Sequence, residues 1–518
     1  MRIVETTAIS ENRTGVNGID IMVTAFFVYC AVNALVVSDV PCRTESLTIA
    51  LCFGLYLIFR VLFSFRLPSD MVVAYLLLIA GEYEVIVGFL QLFGFIQSGH
   101  THYAVTGTFP NPGPFGGFIA ISLSAGFWLY RHRGGGWVMY AMLPMMIALL
   151  VSMSRGAWLA LVVSLSVLYR DRLRFEKRYA VAGIILIAAV GVAVYLIKRG
   201  SADGRVAMAF MALKACGVSP LLGWGAGGFL YAISEMQIMH FSAYPDSALI
   251  SVTGVADYPF NEYLHVAVEF GMIGLLLFLS VVMSVFRKLY VAGRVEMYPF
   301  LTFLVFAIFS YPFSLLPFGV LFILIVALAA GIEGDFRSGK NGVFGIITLV
   351  IGVLITVGSL VCYVPVRRAS EIFVGYGNIS NPAFIKPGRE LSADLSDNRD
   401  FLFSYGKSLR ESGSYNDSNA ILRQGMLVCN DPMMRIVMGR NYESLSCYDK
   451  AEEMYLQAFH MQPNRLYPLY RIMLLHDATG DSIRTKEYAN KVLEFDPKVQ
   501  SPAIREMKWK AKEIINQM

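Results

Sequence analysis

Residues 257–286 read DYPFNEYLHVAVEFGMIGLLLFLSVVMSVF. The second half is an apolar run of the kind that crosses a bilayer as a helix, which needs roughly 20 such residues. The first half carries Asn261, Glu262, His265 and Glu269 at helical spacing. A plain anchor has no use for them, because ionisable groups at membrane depth are expensive and are functional or paired by default. The stretch predicts a membrane helix whose outer end carries chemistry.

The rest of the chain repeats the apolar half of this pattern. The 518 residues are 56% hydrophobic and 16% charged, whereas about a quarter of a soluble domain is charged. Long apolar runs lie near 20–38, 47–66, 71–96, 115–130, 136–153, 156–169, 179–197, 264–286, 297–314, 316–333 and 343–363. The expected fold is therefore all-α: a polytopic helical membrane protein of about eleven spans. The first run has no convincing small-residue cleavage site after it and reads as a retained helix. A net charge of +5, spread between segments, does not point to nucleic acid. Seven cysteines, mostly single, give neither a metal spacing nor a disulfide framework.

Short loops rich in Lys and Arg mark the cytoplasmic side. RHR (131–133), RDRLRFEKR (170–178), FRK (286–288) and FRSGK (336–340) fall on one side of the expected topology. The N-terminus is then inside. The loop 98–114, the turn 154–156, the loop 198–262 and everything after 364 are outside. The expected division is a membrane domain over 1–363, a linker over 364–399 and a helical-repeat domain over 400–518. In that tail GSYNDSNAILRQGMLVCNDP (413–432), LSCYDKAEEMYLQAFHMQP (445–463) and GDSIRTKEYANKVLEFDP (480–497) align. Prolines at 432, 463 and 497 recur near the tetratricopeptide period of about 34 residues, so the tail reads as a small solenoid of helix pairs. Cys429 and Cys447 both fall in it, where a disulfide is allowed.

Several outer polar residues stand out. Arg155, in SMSRGAWLAL, sits in a tight outer turn where arginine is scarce. It reads as an anion site, or as a guanidinium reaching lipid phosphate. Arg205 follows Ser201 and Asp203, either of which can cap a helix starting near Gly204. A first-turn arginine makes sense if an anion binds at that helix start; the alternative is pairing with a loop acid. Lys198, Arg199 and Lys214 add positive charge. GWGAGG (223–228) follows no strand, so it reads as a tight turn rather than a dinucleotide fingerprint. Glu82 and Glu84, with Gln91, lie inside a span and read as counter-ions for a buried arginine or as a proton pathway. The Pro- and Gly-rich 106–122 reads as an ordered outer turn in which Thr106, Thr108 and Asn111 can hydrogen-bond a sugar or the backbone.

The motifs TGTFPNPGPFGGFIA (106–120), SRGAWLAL (154–161), Gly204–Arg205 with GWGAGGF (223–229), and NEYLHVAVEFGMIGLLLF (261–278) stand in the order found in the superfamily of O-antigen ligases, O-antigen polymerases and bacterial protein O-oligosaccharyltransferases. The resemblance covers roughly 70–380, and the tail resembles the exported tails of some members. It implies a GT-C-like, metal-independent, cofactor-free, inverting glycosyltransferase of the bacterial inner membrane, with the N-terminus cytoplasmic and the tail periplasmic. The implied donor is a glycan on undecaprenyl pyrophosphate. The implied acceptor is a hydroxyl of lipid A–core, of a growing glycan or of a protein, with a protein partner on the repeats. Arg155 and Arg205 match the arginines that hold the pyrophosphate. The position where members commonly carry a histidine before the Asn is Phe260. The base is then expected at Glu262, or at His265 one turn beyond Asn261, with His240 and His102 as further candidates. The alternative reading has Asn261 and Glu262 capping the helix and His265 satisfying a carbonyl. A proton-coupled transporter and a non-catalytic scaffold are the readings from other classes.

Overall fold

Helix α1 (Gly18–Val36) begins at Asn17, whose side chain accepts the N–H groups of Ile19 and Asp20 while Asp20 accepts the N–H of Asn17. This reciprocal cap satisfies donors that a helix start leaves open. Asp20 then takes a second task. It receives the Arg60 guanidinium at 2.8 and 3.1 Å and the Tyr56 hydroxyl at 2.6 Å. Arg60 is 1% exposed, so this ion pair locks α1 to α2 (Arg43–Phe65). A charge so deeply buried is tolerated only when paired and hydrogen-bonded.

The computed structural model describes residues 15–171, 199–255, 258–332, 336, 339–377, 382–497 and 500–518. Every regular element among them is a helix. α3 (Asp70–Leu92), α4 (Pro112–Arg133), α5 (Gly136–Val151) and α6 (Arg155–Leu168) follow in order. After the interval 172–198 come α7 (Arg199–Val218) and α8 (Phe229–Ala243), then α9 (Glu262–Ala292), α10 (Met297–Ala307), α11 (Leu316–Gly331) and the long α12 (Gly339–Tyr376). Among the described residues, six helices are long and apolar enough to cross a membrane, and four shorter apolar ones accompany them. Each expected span falls on a described helix except 179–197, which lies outside the described residues, as does most of the basic loop 170–178. The chain is a polytopic helical membrane protein. Large apolar side chains on these helices face outward, Leu35, Leu76, Ile86, Met283 and Leu354 among them, as a lipid-facing surface requires.

The core sits where α4 threads between α3, α5, α6 and α10. Glycines along α4 make this possible. A Cβ on Gly116 would meet Ser152 Oγ at 2.5 Å, and one on Gly117 would meet the Phe306 ring at 2.3 Å. Small residues at such crossings let helices approach without a hydrophobic driving force between them. α2 packs against α11 and α12, and α1 against α9.

The interval 364–399, expected as a linker, is largely helical. α12 runs on to Tyr376, and a short turn at Pro382–Phe384 leads into α13 (Ile385–Leu391). Phe373 of α12 meets Phe384 and Phe401 in one aromatic cluster. The tail continues as α14 (Arg399–Glu411), α15 (Tyr415–Val428), α16 (Pro432–Ser444), α17 (Tyr448–Met461), α18 (Tyr467–Thr479), α19 (Ser482–Glu494) and α20 (Pro502–Gln517), each packed on the next. Pro432 is the first residue of α16, where its missing N–H is not needed. Cys429 is buried, Cys447 is exposed and both thiols are free, so the allowed disulfide is not made. Burial pushes the Cys429 thiol up to about 11, which keeps it protonated and inert.

The tail is docked on α8 and on the turn that follows it. α17 packs on α8. Arg435, 3% exposed, donates to Glu235 of α8 at 2.9 Å. Asn464 donates to the carbonyls of Ile250 and Thr253 at 3.0 and 2.8 Å. At the start of α2, Asp397 accepts the Thr44 N–H at 2.6 Å, and Arg43 pairs with Asp394 at 2.9 Å.

Candidate active site

The stretch 261–274 is positioned by a break in its own helix. Gly271, inside α9, has φ +64°, a left-handed value that glycine adopts freely and other residues rarely do. The backbone groups freed by this break are taken by the glycine-rich loop. Trp224 N–H donates to Val268 O at 2.8 Å, Gly225 N–H to Glu269 O at 3.0 Å, and Met272 N–H to Pro220 O at 2.8 Å. The approach leaves no room for side chains: a Cβ on Gly271 would lie 2.1 Å from Leu221 O, and one on Gly223 2.3 Å from Glu269 O. Asn33 of α1 clamps the far side of the loop, donating to Leu222 O and accepting from Ala226 N–H. GWGAGG is thus a tight backbone turn that splints α9.

The splint aims three polar side chains of α9. Glu262 is 0% exposed; its Oε1 accepts Phe313 N–H at 2.7 Å and its Oε2 faces His265 Nδ1 at 2.9 Å. His265 Nε2 faces Glu269 Oε1 at 3.2 Å. Glu269 Oε1 also accepts the Phe229 N–H at 3.1 Å. Its carboxyl contacts that of Glu45, in the first turn of α2. The line Glu262, His265, Glu269, Glu45 runs along the wall of a cavity of about 710 Å³. The remaining walls are mostly apolar, with Phe26, Ile49, Phe278 and Phe322 among them, and Asp397 and Val428 of the tail also line it. Asn261 is the helix cap, its Oδ1 accepting Leu264 N–H at 3.0 Å.

The two arginines converge next to this cavity. Gly156 packs on Phe309, which brings Arg155, the first residue of α6, to the residue whose carbonyl accepts Arg205 Nη1 at 3.1 Å. Partial desolvation, and then the neighbouring Arg155 charge, hold the Arg205 guanidinium below its usual range, although the side chain keeps an open face. Two cations this close favour an anion between or beside them. α7 begins at Arg199 rather than near Gly204, so Arg205 lies in its second turn and the expected helix-start anion site is not formed. Arg205 offers its side chain instead, over the Phe260 ring at 4.9 Å. Phe260 meets Tyr311 edge-on, and Tyr311 stacks on Tyr258 at 3.9 Å. Tyr258 and Pro259 line the large cavity. This aromatic layer separates the arginines from the carboxyl–imidazole line.

Other expected contacts have structural partners. Glu84 accepts both the N–H and the hydroxyl of Thr108, at 2.9 and 2.6 Å. Gln91 accepts the N–H groups of Thr106 and Gly107. Glu84 is therefore a latch that orders the loop between α3 and α4, not the counter-ion of a buried arginine. Asn111 caps α4 through Gly113 N–H. His240 receives Lys214 Nζ at 2.8 Å on Nδ1 and meets Ser247 on Nε2 at 3.1 Å. Burial and the Lys214 charge hold its imidazole below the usual range. His102 is exposed in the loop between α3 and α4. Sequence reasoning missed Glu45. An acid in the first turn of a span reads as a complement to the helix dipole, and only the packing of α2 beside α9 brings it to His265 and Glu269. These three bring N and O atoms within 4.8 Å of one another, a spacing a divalent cation can also use. His265 Nε2 is also aimed at Glu269, and Glu269 at Glu45, so the set can share protons as well.

The fold and site define a multi-pass helical membrane protein with a cationic pair and an acid–imidazole line beside one apolar cavity. Residues 140–279 match the family model described as O-antigen ligase, so this segment is similar to that family. The matched segment holds Arg155, Arg205 and the whole polar part of α9; Glu45 and the tail lie outside it. No curated protein matches the chain.

Proposed function

We propose that the protein transfers an oligosaccharide from an undecaprenyl-pyrophosphate carrier to an acceptor hydroxyl on the periplasmic side, as an O-antigen ligase or a protein O-oligosaccharyltransferase. The observation that carries this reading is the pairing of Arg155 with Arg205 one aromatic layer away from the acid–imidazole cavity. Arginine suits a pyrophosphate because its planar fork donates parallel hydrogen bonds and keeps its charge. The two arginines stabilise the negative charge that grows on the leaving pyrophosphate as the C1–O bond breaks. The acceptor hydroxyl enters from the cavity side, attacks C1 on the opposite face with inversion, and loses its proton to a group on that wall. Asp397 and Val428 at the cavity favour an acceptor that also meets the tail, as in a ligase or protein-modifying member rather than a polymerase.

The test is complementation of a deletion strain. Loss of the protein should leave lipid-linked oligosaccharide accumulated and remove glycan from lipopolysaccharide or from glycoproteins, which names the acceptor. Arg155→Ala and Arg205→Ala should each lower transfer by about 10²–10³-fold while the protein still inserts. Full transfer by both variants removes the arginine assignment.

A further inference from the structure

Resting on this transfer reading, we propose that a smaller cavity beside Arg205 is the subsite for the sugar ring bonded to the donor pyrophosphate, and that Gln237 of α8 selects that ring. The cavity has a volume of about 200 Å³ and lies between α7, α8 and the segment 252–255, with Phe260 on one side. Drug-sized ligands need roughly 300–1,000 Å³, so this space takes one ring and not a chain. Its walls include Met211, Ile233, Gln237, Thr253 and Arg205. Gln237 is the group the fold leaves unexplained. It is 6% exposed, and among the described residues no donor reaches its Oε1. A buried acceptor left unmatched costs about 1–3 kcal/mol, and buried polar groups in folded proteins nearly always have a partner. Met211 and Ile233, buried on the same walls, are apolar and supply none. An amide turns easily about its last side-chain bond, so Gln237 can present its oxygen or its N–H groups to a ligand in the cavity it lines.

The make-up of the walls favours a sugar over a second phosphate. Among the described residues that line the cavity, Arg205 alone carries a charge; the rest are apolar or neutral hydrogen-bonding groups. A sugar ring has the same composition, with hydroxyls around its rim and C–H groups on its faces. A phosphate inside the cavity finds no second cation there. Position ties the ring to the donor. The first sugar is joined to the pyrophosphate through its C1–O bond, so a pyrophosphate held at Arg205 leaves that ring beside the same side chain. Phe260 lines this cavity while Tyr258 and Pro259 line the larger one, so the ring and the acceptor meet one short segment from its two sides. The tail steadies the wall opposite Gln237. Asn464 holds the carbonyls of Ile250 and Thr253, and the Thr253 hydroxyl donates to Leu249 O at 2.8 Å. Gln237 is then the side chain on these walls with a buried, unmatched atom.

The experiment titrates three lipids into the full-length protein in nanodiscs: undecaprenyl pyrophosphate alone, and the same carrier bearing one N-acetylglucosamine or one glucose. The wild type should bind a sugar-bearing carrier about tenfold more tightly than the bare one, and a margin with either sugar supports the subsite. Gln237→Met keeps the length of the side chain and removes its polar atoms. It should shrink the margin to within about twofold, leave affinity for the bare carrier unchanged, and keep or raise the melting temperature without lipid, because an unmatched buried acceptor is gone. Ala207→Leu, which extends a side chain of α7 into the cavity it lines, should also remove the margin. Equal wild-type affinity for bare and sugar-bearing carriers overturns the subsite, the cavity then holding water, and leaves the pyrophosphate reading standing. A margin that survives both substitutions overturns it by putting the ring elsewhere. A Gln237→Met protein that melts lower and loses the bare carrier as well overturns it in favour of a structural role. A wild type that binds none of the three lipids overturns the transfer reading itself, and the subsite falls with it.

Discussion

Phe260 shows how one residue changes meaning between sequence and structure. In the sequence it is a gap, a phenyl ring at the position where the resemblance implies a histidine. In the structure it lies at φ +52°, a conformation costing about 1–3 kcal/mol in a residue that is not glycine, with its ring beneath Arg205. A cation over an aromatic face gains about 0.5–2 kcal/mol. Phe260→Ala should therefore raise the dissociation constant for the lipid-linked donor by between a few-fold and about thirtyfold, read by titrating donor into the purified protein, with little change in the bound-state rate. An unchanged affinity removes Phe260 as a platform for Arg205. Arg155 and Arg205 stood out in the sequence, because a cation in a turn expected to lie outside is unexpected on orientation grounds alone. Glu45 was not: helix-start acids are common, and nothing local separates one that completes a cavity from one that complements a dipole.

At the scale of elements, the decisive unit is α9 with the loop that splints it. A run of apolar residues after NEYLHVAVEFG reads as a membrane helix, and the helix is there. The break at Gly271 is not readable from the run, since one glycine in a membrane helix is ordinary. It follows from four backbone hydrogen bonds shared with residues some fifty positions earlier, which a local pattern does not contain. Gly271→Ala places a Cβ 2.1 Å from Leu221 O and asks for a left-handed alanine. The expected cost is at least about 1–3 kcal/mol, seen as a lower melting temperature in detergent together with lost transfer, because the splint also holds Glu269. Wild-type stability and activity in this variant would contradict that coupling. The same reasoning explains α7. The Ser201 and Asp203 cap signals were present, but the helix extends back to Arg199, so neither residue stands at its start.

At the scale of the molecule, the tail is part of the wall. Arg435 is nearly fully buried against Glu235, Gln457 and Met461, and Asn464 holds the 250–253 turn. Thr253 and Gly254 of that turn line a smaller cavity of about 200 Å³ with Arg205 and Phe260. Removing one partner of a buried ion pair costs about 3–5 kcal/mol, less where the other partner can reach water, as Glu235 partly does at 30% exposure. Arg435→Ala should make the tail markedly more sensitive to limited proteolysis and weaken transfer, while the membrane helices stay assembled. Unchanged cleavage would show that the docking rests on α17 and α8 packing alone.

The sequence by itself determined the class of this protein. Apolar length selects membrane helices because a backbone in lipid must satisfy its own hydrogen bonds, and the tail's alternation of helix patterns with proline stops marks helices that need neighbours. It also exposed Arg155, Arg205, Glu262 and His265, since polar groups near a membrane stand out against their surroundings. Only the tertiary structure decided which of these still have free atoms. It spent Glu84, Thr108, Asn111 and Asn261 on ordering loops and helix ends, and it delivered Glu45 from a helix more than two hundred residues away in sequence. Hydrogen-bond capacity is consumed by whatever neighbours the packing provides, and packing between distant segments is the one quantity that local pattern does not encode.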